Sequence, residues 1–145
     1  MTRINSAIAV RNLTDEHLLA EHREIKRLPA CLLKSLEKGV PYIPNVFTLG
    51  KGHVSFFYNK FEFTLSRYKD IYIECLKRGF DVTNYITNWL SIGDNRYWND
   101  YTPTEIEREI LVERISERIR NSKKTVFHYY GRMIDKDTAI KLLKQ

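Results

Sequence analysis

Leucine and isoleucine side chains recur every three or four residues between positions 18 and 36, which is the spacing of one face of an α-helix. Thr14 precedes this run and can cap the helix, since its hydroxyl can accept a hydrogen bond from a free N–H of the first turn. Pro29 lies inside the run, lacks an N–H and crowds the carbonyl four residues before it. We therefore predict a first helix that starts near Thr14, kinks or restarts at Pro29, and ends at Gly39.

Two further helices are predicted downstream. One runs from about residue 53 to residue 78 and is closed by Gly79, with one break where aromatic residues are dense between positions 56 and 63. The next follows the sequence Thr102-Pro103-Thr104-Glu105, which is typical of a capping box with Thr102 as the cap and Pro103 at the first helical position. Isoleucine and leucine at helical intervals between positions 106 and 119 then predict an apolar face.

The remaining segments lack a strong pattern. Residues 40–52 are rich in proline and glycine and predict an irregular connection, residues 81–101 give no clear assignment, and residues 135–145 form a short amphipathic tail that predicts a surface helix. A chain of 145 residues has the length of one domain. We therefore predict an all-α fold: a compact single domain over residues 1–145, built from three main helices with irregular connections, an N-terminal arm folded against the first helix, and an extra C-terminal tail.

Charge adds a functional constraint. The formal net charge is +6 and the sequence pI is about 9.3, so DNA or RNA is the first partner to consider, although solvated lysines also produce such a charge. The N-terminal region is too highly charged for a secretory leader, and no apolar run is long enough to span a membrane, so we expect a cytoplasmic protein. Cys31 and Cys75 lack metal-ligand spacing and are expected to be buried, reduced thiols. Basic residues concentrate in two groups: Arg23, Lys26, Arg27, Lys34 and Lys38, and Arg114, Arg118, Arg120, Lys123 and Lys124.

Polar residues share one face of the first predicted helix. His17, Glu21 and Glu24 follow one another at intervals of four and three residues, so their side chains lie in one row. A solvated charged face with surface salt bridges is the simpler interpretation. The functional alternative requires residues 2–10 to fold back along this helix and bring a reactive group to Glu24, where a carboxylate can stabilise positive charge and move a proton.

The start of the chain supplies such a group. Thr2 follows Met1, and methionine aminopeptidases usually remove a methionine that precedes a small residue, leaving the α-amino group of Thr2. An α-amino group has a pKa of about 7.7–8.0, so a sizeable fraction is unprotonated at neutral pH. It can attack a carbon with carbonyl or oxocarbenium character and form a Schiff base. Met-Thr is also a common chain start, so it indicates catalysis only in combination with Glu24.

Several segments resemble the pyrimidine-dimer DNA glycosylases of bacteriophages and large viruses, the ultraviolet endonuclease called endonuclease V. The resemblance extends from residue 1 to about residue 132, and its most specific part is Thr2 after the initiator methionine together with Arg23 and Glu24 on the first helix. Glu16 stands where that family commonly has a neutral glutamine, so we expect its negative charge to weaken DNA binding slightly. The matching segments are residues 1–5, 17–24, 50–58, 74–80 and 129–131.

This resemblance implies a monomeric, virus-type enzyme that acts on cyclobutane pyrimidine dimers, and on abasic sites, in double-stranded DNA. Thr2 is implied to attack C1′ of the 5′ nucleotide of the dimer, which releases the base and forms an imine, and β-elimination then nicks the strand. Glu24 is implied to be the catalytic carboxylate. No metal or other cofactor is implied, because the amine itself activates the reacting carbon. The residues implied to contact DNA are Arg3, His17, Arg23, Arg27, Lys34, His53, Arg114, Arg118, Tyr129 and Tyr130.

Several interpretations stay open at this point. The aromatic residues near the end of the chain can stack on bases, or Phe127 and Tyr130 can pack in the core against the third helix. His53 can be a helix cap, a core residue or a backbone contact. At the level of function, a DNA-binding module without catalysis is the main alternative to the glycosylase. An N-terminal hydrolase that uses the Thr2 hydroxyl is a distant third, since that class has a layered sheet.

Overall fold

A computed structural model describes residues 3–145, so Thr2 lies outside the described residues. The fold is mostly helical, as predicted, and it also contains a small two-stranded antiparallel sheet. Short 3-10 helices occur at Val10–Asn12, Ile86–Ser91 and Asn95–Tyr97. The other elements are α1 (Asp15–Ile25), α2 (Leu28–Leu36), α3 (His53–Phe56), α4 (Phe61–Lys77), α5 (Glu105–Asn121), β1 (Val126–Tyr129), β2 (Arg132–Asp135) and α6 (Lys136–Leu143).

The predicted helix boundaries are confirmed in the first half of the chain. The Thr14 side chain caps α1 by accepting a hydrogen bond from the His17 N–H at 3.2 Å. The helix ends at Ile25 and restarts as α2, which carries Pro29 in its first turn, where a missing N–H costs no helical hydrogen bond. The predicted second tract breaks into α3 and α4. The aromatic segment between them therefore interrupts the helix, as its composition indicated.

The predicted cap of the third helix was wrong by two residues. The helix α5 begins at Glu105, and its cap is Thr104, whose hydroxyl accepts from the Glu107 N–H at 3.2 Å. Thr104 and Glu107 have the same Thr-x-x-Glu spacing as Thr102 and Glu105, so the sequence contains two overlapping capping patterns. In the second pattern, which forms, Glu107 is buried and its carboxylate accepts a hydrogen bond from the Tyr101 hydroxyl.

The β-hairpin is the element that the all-α prediction lacked. Its two-residue turn, Tyr130 and Gly131, has φ of 52° and 78°, and positive φ at both central residues is the type I′ geometry that matches the twist of a hairpin. Tyrosine rarely adopts this conformation. Asp15 at the start of α1 stabilises the turn, since its carboxylate accepts hydrogen bonds from the N–H groups of residues 130 and 131 at 3.1 and 2.9 Å.

A buried arginine joins this hairpin to α4. Arg78 donates to Asp15 Oδ1 and to Glu74 Oε2, each at 2.9 Å, and its side chain has no solvent exposure. The Tyr130 hydroxyl donates to the same Glu74 oxygen at 2.7 Å, and the Arg78 guanidinium lies 4.8 Å from the ring centres of Tyr129 and Tyr130. The strained turn is therefore fixed to the two helices that form the centre of the fold.

A continuous hydrophobic core contains residues from Ile4 to Leu143. The unassigned segment supplies its largest side chain, Trp89, which is fully buried and donates from its indole nitrogen to Thr64 Oγ1 at 3.2 Å. The C-terminal tail forms the helix α6, as predicted, but it is only partly a surface element, because Ala139 and Leu143 are buried against the core. Across residues 3–145, every helix is too short or too polar to cross a membrane.

The two cysteines are free thiols with different environments. Cys75 is buried, and burial raises the pKa of its thiol to about 11. This side chain is therefore protonated at neutral pH. Cys31 is half-buried on α2, so the prediction of a buried thiol holds fully only for Cys75.

Candidate functional site

The N-terminal arm lies against α1 and α3, as its predicted folding back requires. Ile4 is fully buried and donates its backbone N–H to His53 Nε2 at 3.0 Å. Asn5 donates its backbone N–H to Glu21 Oε2 at 3.2 Å and its side-chain amide to Glu21 Oε1 at 2.9 Å. The two side chains that hold the arm, His53 and Glu21, are both buried, so residues 4 and 5 have a defined position.

Glu21 is the central anchor of the arm. It is 1% exposed and accepts two hydrogen bonds from Arg67 on α4, from Nε at 2.6 Å and from Nη2 at 2.9 Å. The third Arg67 nitrogen, Nη1, donates to the carbonyl of Ile8 at 2.8 Å. A bidentate Arg–carboxylate pair of this kind is strong and geometrically specific. Glu21 therefore holds the arm through Asn5 and is not a reacting group.

Glu24, one turn further along α1, lines a small pocket of ≈ 40 Å³ between the arm, α1 and α5. Glu24 is partly exposed there, in contrast to the buried Glu21. The described residues that line this pocket are Arg3, Asn5, His17, Ala20, Glu21, Glu24, Ile115 and Arg118. The structure therefore brings together the arm, the predicted catalytic carboxylate and one of the predicted basic residues of the third helix.

Two arginines, Arg3 and Arg118, line the same pocket as the Glu24 carboxylate. Burial lowers the pKa of Arg3, and the charges of Arg118 and Arg114 lower it further, while Glu24 opposes them. The pKa of Arg118 is lowered by burial and by Arg114, again with Glu24 opposing. The charges of Arg3 and Arg118 thus act on one carboxylate, Glu24, and Arg114 adds a further positive charge close to both arginines, which leaves an excess of positive charge at the pocket. Such an excess favours an anion with several oxygens, such as a phosphodiester.

The other predicted basic contacts lie along α1 and α2. Arg23 is exposed on α1 beside Glu24, Arg27 is exposed where α1 passes into α2, and Lys34 is exposed on α2. Their exposure leaves these charges available to a partner. Together with Arg3, Arg114 and Arg118 they place positive charge on the arm, on the first two helices and on α5.

His17 and the aromatic residues of the hairpin are engaged with the protein itself. His17 Nδ1 lies 2.7 Å from Thr14 Oγ1, and its ring stacks on Phe127 at 6.0 Å between centroids. Burial lowers the pKa of His17. Phe127 is 4% exposed, which confirms core packing for this residue, although its ring contact is with α1. The Tyr129 hydroxyl donates to the Arg11 carbonyl at 2.8 Å, and Tyr130 is bonded to Glu74 as described above.

Glu16 carries a negative charge that the structure uses to hold the hairpin. Its carboxylate accepts hydrogen bonds from the His128 backbone N–H at 2.9 Å and pairs with His128 Nδ1 at 2.7 Å. Burial alone would raise the pKa of Glu16, but the hydrogen bonds from His128 outweigh it and the pKa is lowered. The charge that we expected to repel a polyanion is therefore engaged with His128 in β1.

His53 faces the arm and not the surface. It is 2% exposed, its Nε2 accepts from Ile4, and its Nδ1 lies 3.0 Å from the carbonyl oxygen of Thr48. The direct contact with DNA that the resemblance implied does not fit this position. Of the alternatives open at the sequence level, the structure places His53 as a core residue that holds backbone.

Sequence reasoning missed Arg67 and Asn5, which fix the arm. A signal existed for Arg67, because it falls on the same face of α4 as the buried residues Thr64 and Ile71, and an arginine on a buried face requires a partner. Asn5 gave no comparable signal, since a single asparagine near a chain end is common.

The family model for pyrimidine dimer DNA glycosylase matches residues 1–88 of the chain. This range includes the arm and the helices α1 to α4, and with them Glu21, Glu24, His53 and Arg67. It covers more than half of the 145 residues. The chain belongs to the pyrimidine dimer DNA glycosylase family.

Proposed function

We propose that this protein releases the 5′ base of cyclobutane pyrimidine dimers in double-stranded DNA through a Schiff base to the Thr2 amine, and then nicks the strand at the abasic site. The observation that carries this proposal is the fixed arm: residues 4 and 5 are bonded to His53 and Glu21, and Arg3 borders the pocket of Glu24. Thr2 immediately precedes Arg3 in the sequence. Thr2 is therefore one residue away in sequence from the lining of this pocket, in which Glu24 is the partly exposed carboxylate among the described residues.

The first chemical step needs positive charge to be stabilised at C1′. As the glycosidic bond breaks, its electron pair leaves with the base and C1′ becomes oxocarbenium-like. The carboxylate of Glu24 is suited to stabilise that charge. The neutral Thr2 amine forms the new bond to C1′ and loses one proton. The nitrogen lone pair then expels O4′, which takes up a proton as the C1′–O4′ bond opens, and an iminium ion is left.

The second step is an elimination. Removal of a proton from C2′ sends its electrons towards the iminium carbon, and the phosphate at C3′ leaves with the electron pair of its C–O bond. Glu24 lies at the same pocket and can accept that proton. Water then hydrolyses the imine and restores the free amine, so the protein returns to its starting form.

The arginines supply binding rather than chemistry. Arg114 and Arg118 lie close enough to Arg3 for their positive charges to lower its pKa, and Arg114 lowers the pKa of Arg118 in the same way. A phosphodiester beside the lesion would neutralise their mutual repulsion, which favours binding of the DNA backbone at this position. The exposed Arg23, Arg27 and Lys34 extend the same surface along α1 and α2.

Borohydride reduction tests the covalent step. Incubation of the protein with an ultraviolet-irradiated duplex should nick the DNA at dimers. Borohydride added during the reaction should trap a covalent adduct whose peptide maps to Thr2. The matched control is the same protein acetylated at its N-terminus, which should bind the duplex but give no adduct. DNA binding without nick or adduct, on protein confirmed to begin at Thr2, would instead identify a DNA-binding module without catalysis.

The salt dependence of binding tests the role of α5. Replacement of Arg118 by Gln should reduce the slope of log K against log salt concentration by about 0.9, the value for one phosphate contact. Arg108→Gln is the matched control on the same helix, because Arg108 pairs with Glu105 at 3.4 Å and is not at the pocket of Glu24. Its slope should equal that of the unaltered protein. Equal slopes for all three proteins would exclude a phosphate contact at Arg118.

A further inference from the structure

We propose that His53 is the positioning residue that sets the place of the N-terminal amine, and that it does so only as a neutral imidazole. This inference rests on the proposed function, because it concerns where the reacting amine stands. His53 touches neither Glu24 nor the pocket-lining residues of α5 through any described hydrogen bond. It acts through the backbone of Ile4.

The two hydrogen bonds of the ring fix its protonation. The carbonyl oxygen of Thr48 can only accept, so Nδ1 must carry the proton at that contact of 3.0 Å. The backbone N–H of Ile4 can only donate, so Nε2 must be without a proton at its contact of 3.0 Å. The His53 imidazole therefore joins the arm to the loop that precedes α3. Both hydrogen bonds require the same neutral tautomer, with the proton on Nδ1 and none on Nε2.

The position of Ile4 bounds the position of the amine. Two residues span at most about 7 Å, so an anchor at the Ile4 nitrogen restricts the start of the mature chain to the neighbourhood of the pocket. Ile4 is fully buried, and Asn5 is held separately by Glu21. Loss of the His53 bond would thus leave the Ile4 side chain in the core and Asn5 on Glu21, but it would remove the hydrogen bond that fixes the Ile4 backbone nitrogen, the anchored atom nearest to the reacting nitrogen.

Protonation of His53 would turn this attachment into a repulsion. A proton on Nε2 would point at the Ile4 N–H, which places two donors against each other. The charged groups that face the ring are Arg3 and Glu21, and the neighbouring rings of Phe47 and Phe57 carry no charge. Burial lowers the pKa of His53 from 6.5 and Arg3 lowers it further, while the Thr48 carbonyl and Glu21 raise it. Because a proton on Nε2 excludes the bond from the Ile4 N–H, the docked arm binds fewer protons than the released arm, so docking weakens as pH falls.

Two substitutions separate this role from a merely structural one. In His53→Gln, the amide oxygen can accept from Ile4 and the amide NH₂ can donate to Thr48, so both bonds can be kept without a titrating group. In His53→Leu both bonds are lost. We expect His53→Leu to slow single-turnover formation of the borohydride-trapped adduct by about 10²-fold, the effect of a displacement of about 1 Å. Its dissociation constant for dimer-containing duplex should change less than about threefold, and His53→Gln should recover most of the rate.

The pH dependence provides the decisive comparison. We expect the trapping rate of the unaltered protein, divided by that of His53→Gln, to decrease as the pH is lowered from 7 to 5.5. Protonation of the amine and of the other histidines affects both proteins equally and therefore cancels in this ratio. A constant ratio would overturn the proposal, and so would equal losses of rate and binding in His53→Leu. If His53→Leu does not fold, which circular dichroism would show, the ratio for His53→Gln decides alone.

Failure of the proposed function is distinguishable from failure of this inference. If the unaltered protein gives no adduct, the Schiff base is excluded, and the role of His53 is then measured without DNA. Amide hydrogen exchange of Ile4, corrected for the intrinsic pH dependence of exchange, should show protection that falls between pH 7 and pH 5.5 in the unaltered protein and stays constant in His53→Gln. Protection that is independent of pH in both proteins would exclude the neutral-imidazole anchor.

Discussion

Glu24→Gln is expected to bind dimer-containing duplex at least as tightly as the unaltered protein and to lose base release by a factor of about 10²–10⁴, the range for removal of one acid–base or charge-stabilising group. The amide keeps the size of the side chain but has no charge to offer an oxocarbenium ion. Binding should not suffer, because the substitution removes a negative charge from a pocket that already contains Arg3 and Arg118. Single-turnover cleavage of the glycosidic bond and equilibrium binding to the same duplex measure the two effects separately.

The matched control for Glu24 is Glu62→Gln. Glu62 is exposed in the first turn of α4 and is absent from the pocket of Glu24, so the same chemical change there should leave both rate and affinity unaltered. Normal base release by Glu24→Gln would show that this carboxylate is not the catalytic group. A parallel loss of rate and affinity would instead assign Glu24 to binding.

Glu21→Gln is expected to lower the free energy of unfolding by about 3–5 kcal/mol, the cost of leaving one partner of a buried ion pair behind. Arg67 is 7% exposed and directs two nitrogens at the Glu21 carboxylate, so the substitution leaves a buried guanidinium without its counter-charge. The amide also cannot accept both the Asn5 backbone and the Asn5 side chain as the carboxylate does. Urea unfolding at constant pH measures the change, with an unaltered slope as evidence that the unfolded state is the same.

An exposed ion pair provides the reference for this effect. Glu113 lies 3.6 Å from Arg120 on α5, with the two side chains 72% and 50% exposed, and Glu113→Gln should change stability by less than about 1 kcal/mol. The double substitution Glu21→Leu with Arg67→Met should recover much of the loss, since well-packed apolar side chains can replace a buried pair. A small effect of Glu21→Gln alone would mean that the pair contributes little to holding the arm.

Local chemistry made part of this fold predictable. The cap at Thr14, the restart at Pro29 and the break before α4 each depend on residues within one helical turn, and each is confirmed. The cap of α5 also depends on local sequence, but two Thr-x-x-Glu patterns overlap there. The helix uses the second pattern, with Glu107 buried, and the local sequence does not distinguish it from the first.

The candidate site was predictable only in its spacing. Helical periodicity places Glu21 and Glu24 in one row but cannot tell which of them turns inward, because the partner that buries Glu21 is Arg67, 46 residues later. The hairpin was missed for a related reason. A tyrosine at positive φ is unfavourable by itself, and Asp15, which compensates for it, is 115 residues away in sequence.

The contact between Asp15 and the hairpin turn also determines when the native state can be reached during synthesis. The first helix emerges from the ribosome early, whereas the two amides that bond to its Asp15 carboxylate belong to residues 130 and 131. Until they arrive, Arg78 is the remaining described side-chain partner of Asp15, and the apolar residues of α5 and α6 are missing from the core. Contacts between distant parts of a chain form late and slow folding. The hydrogen bonds at the start of the first helix are therefore complete only after the C-terminal hairpin has been translated.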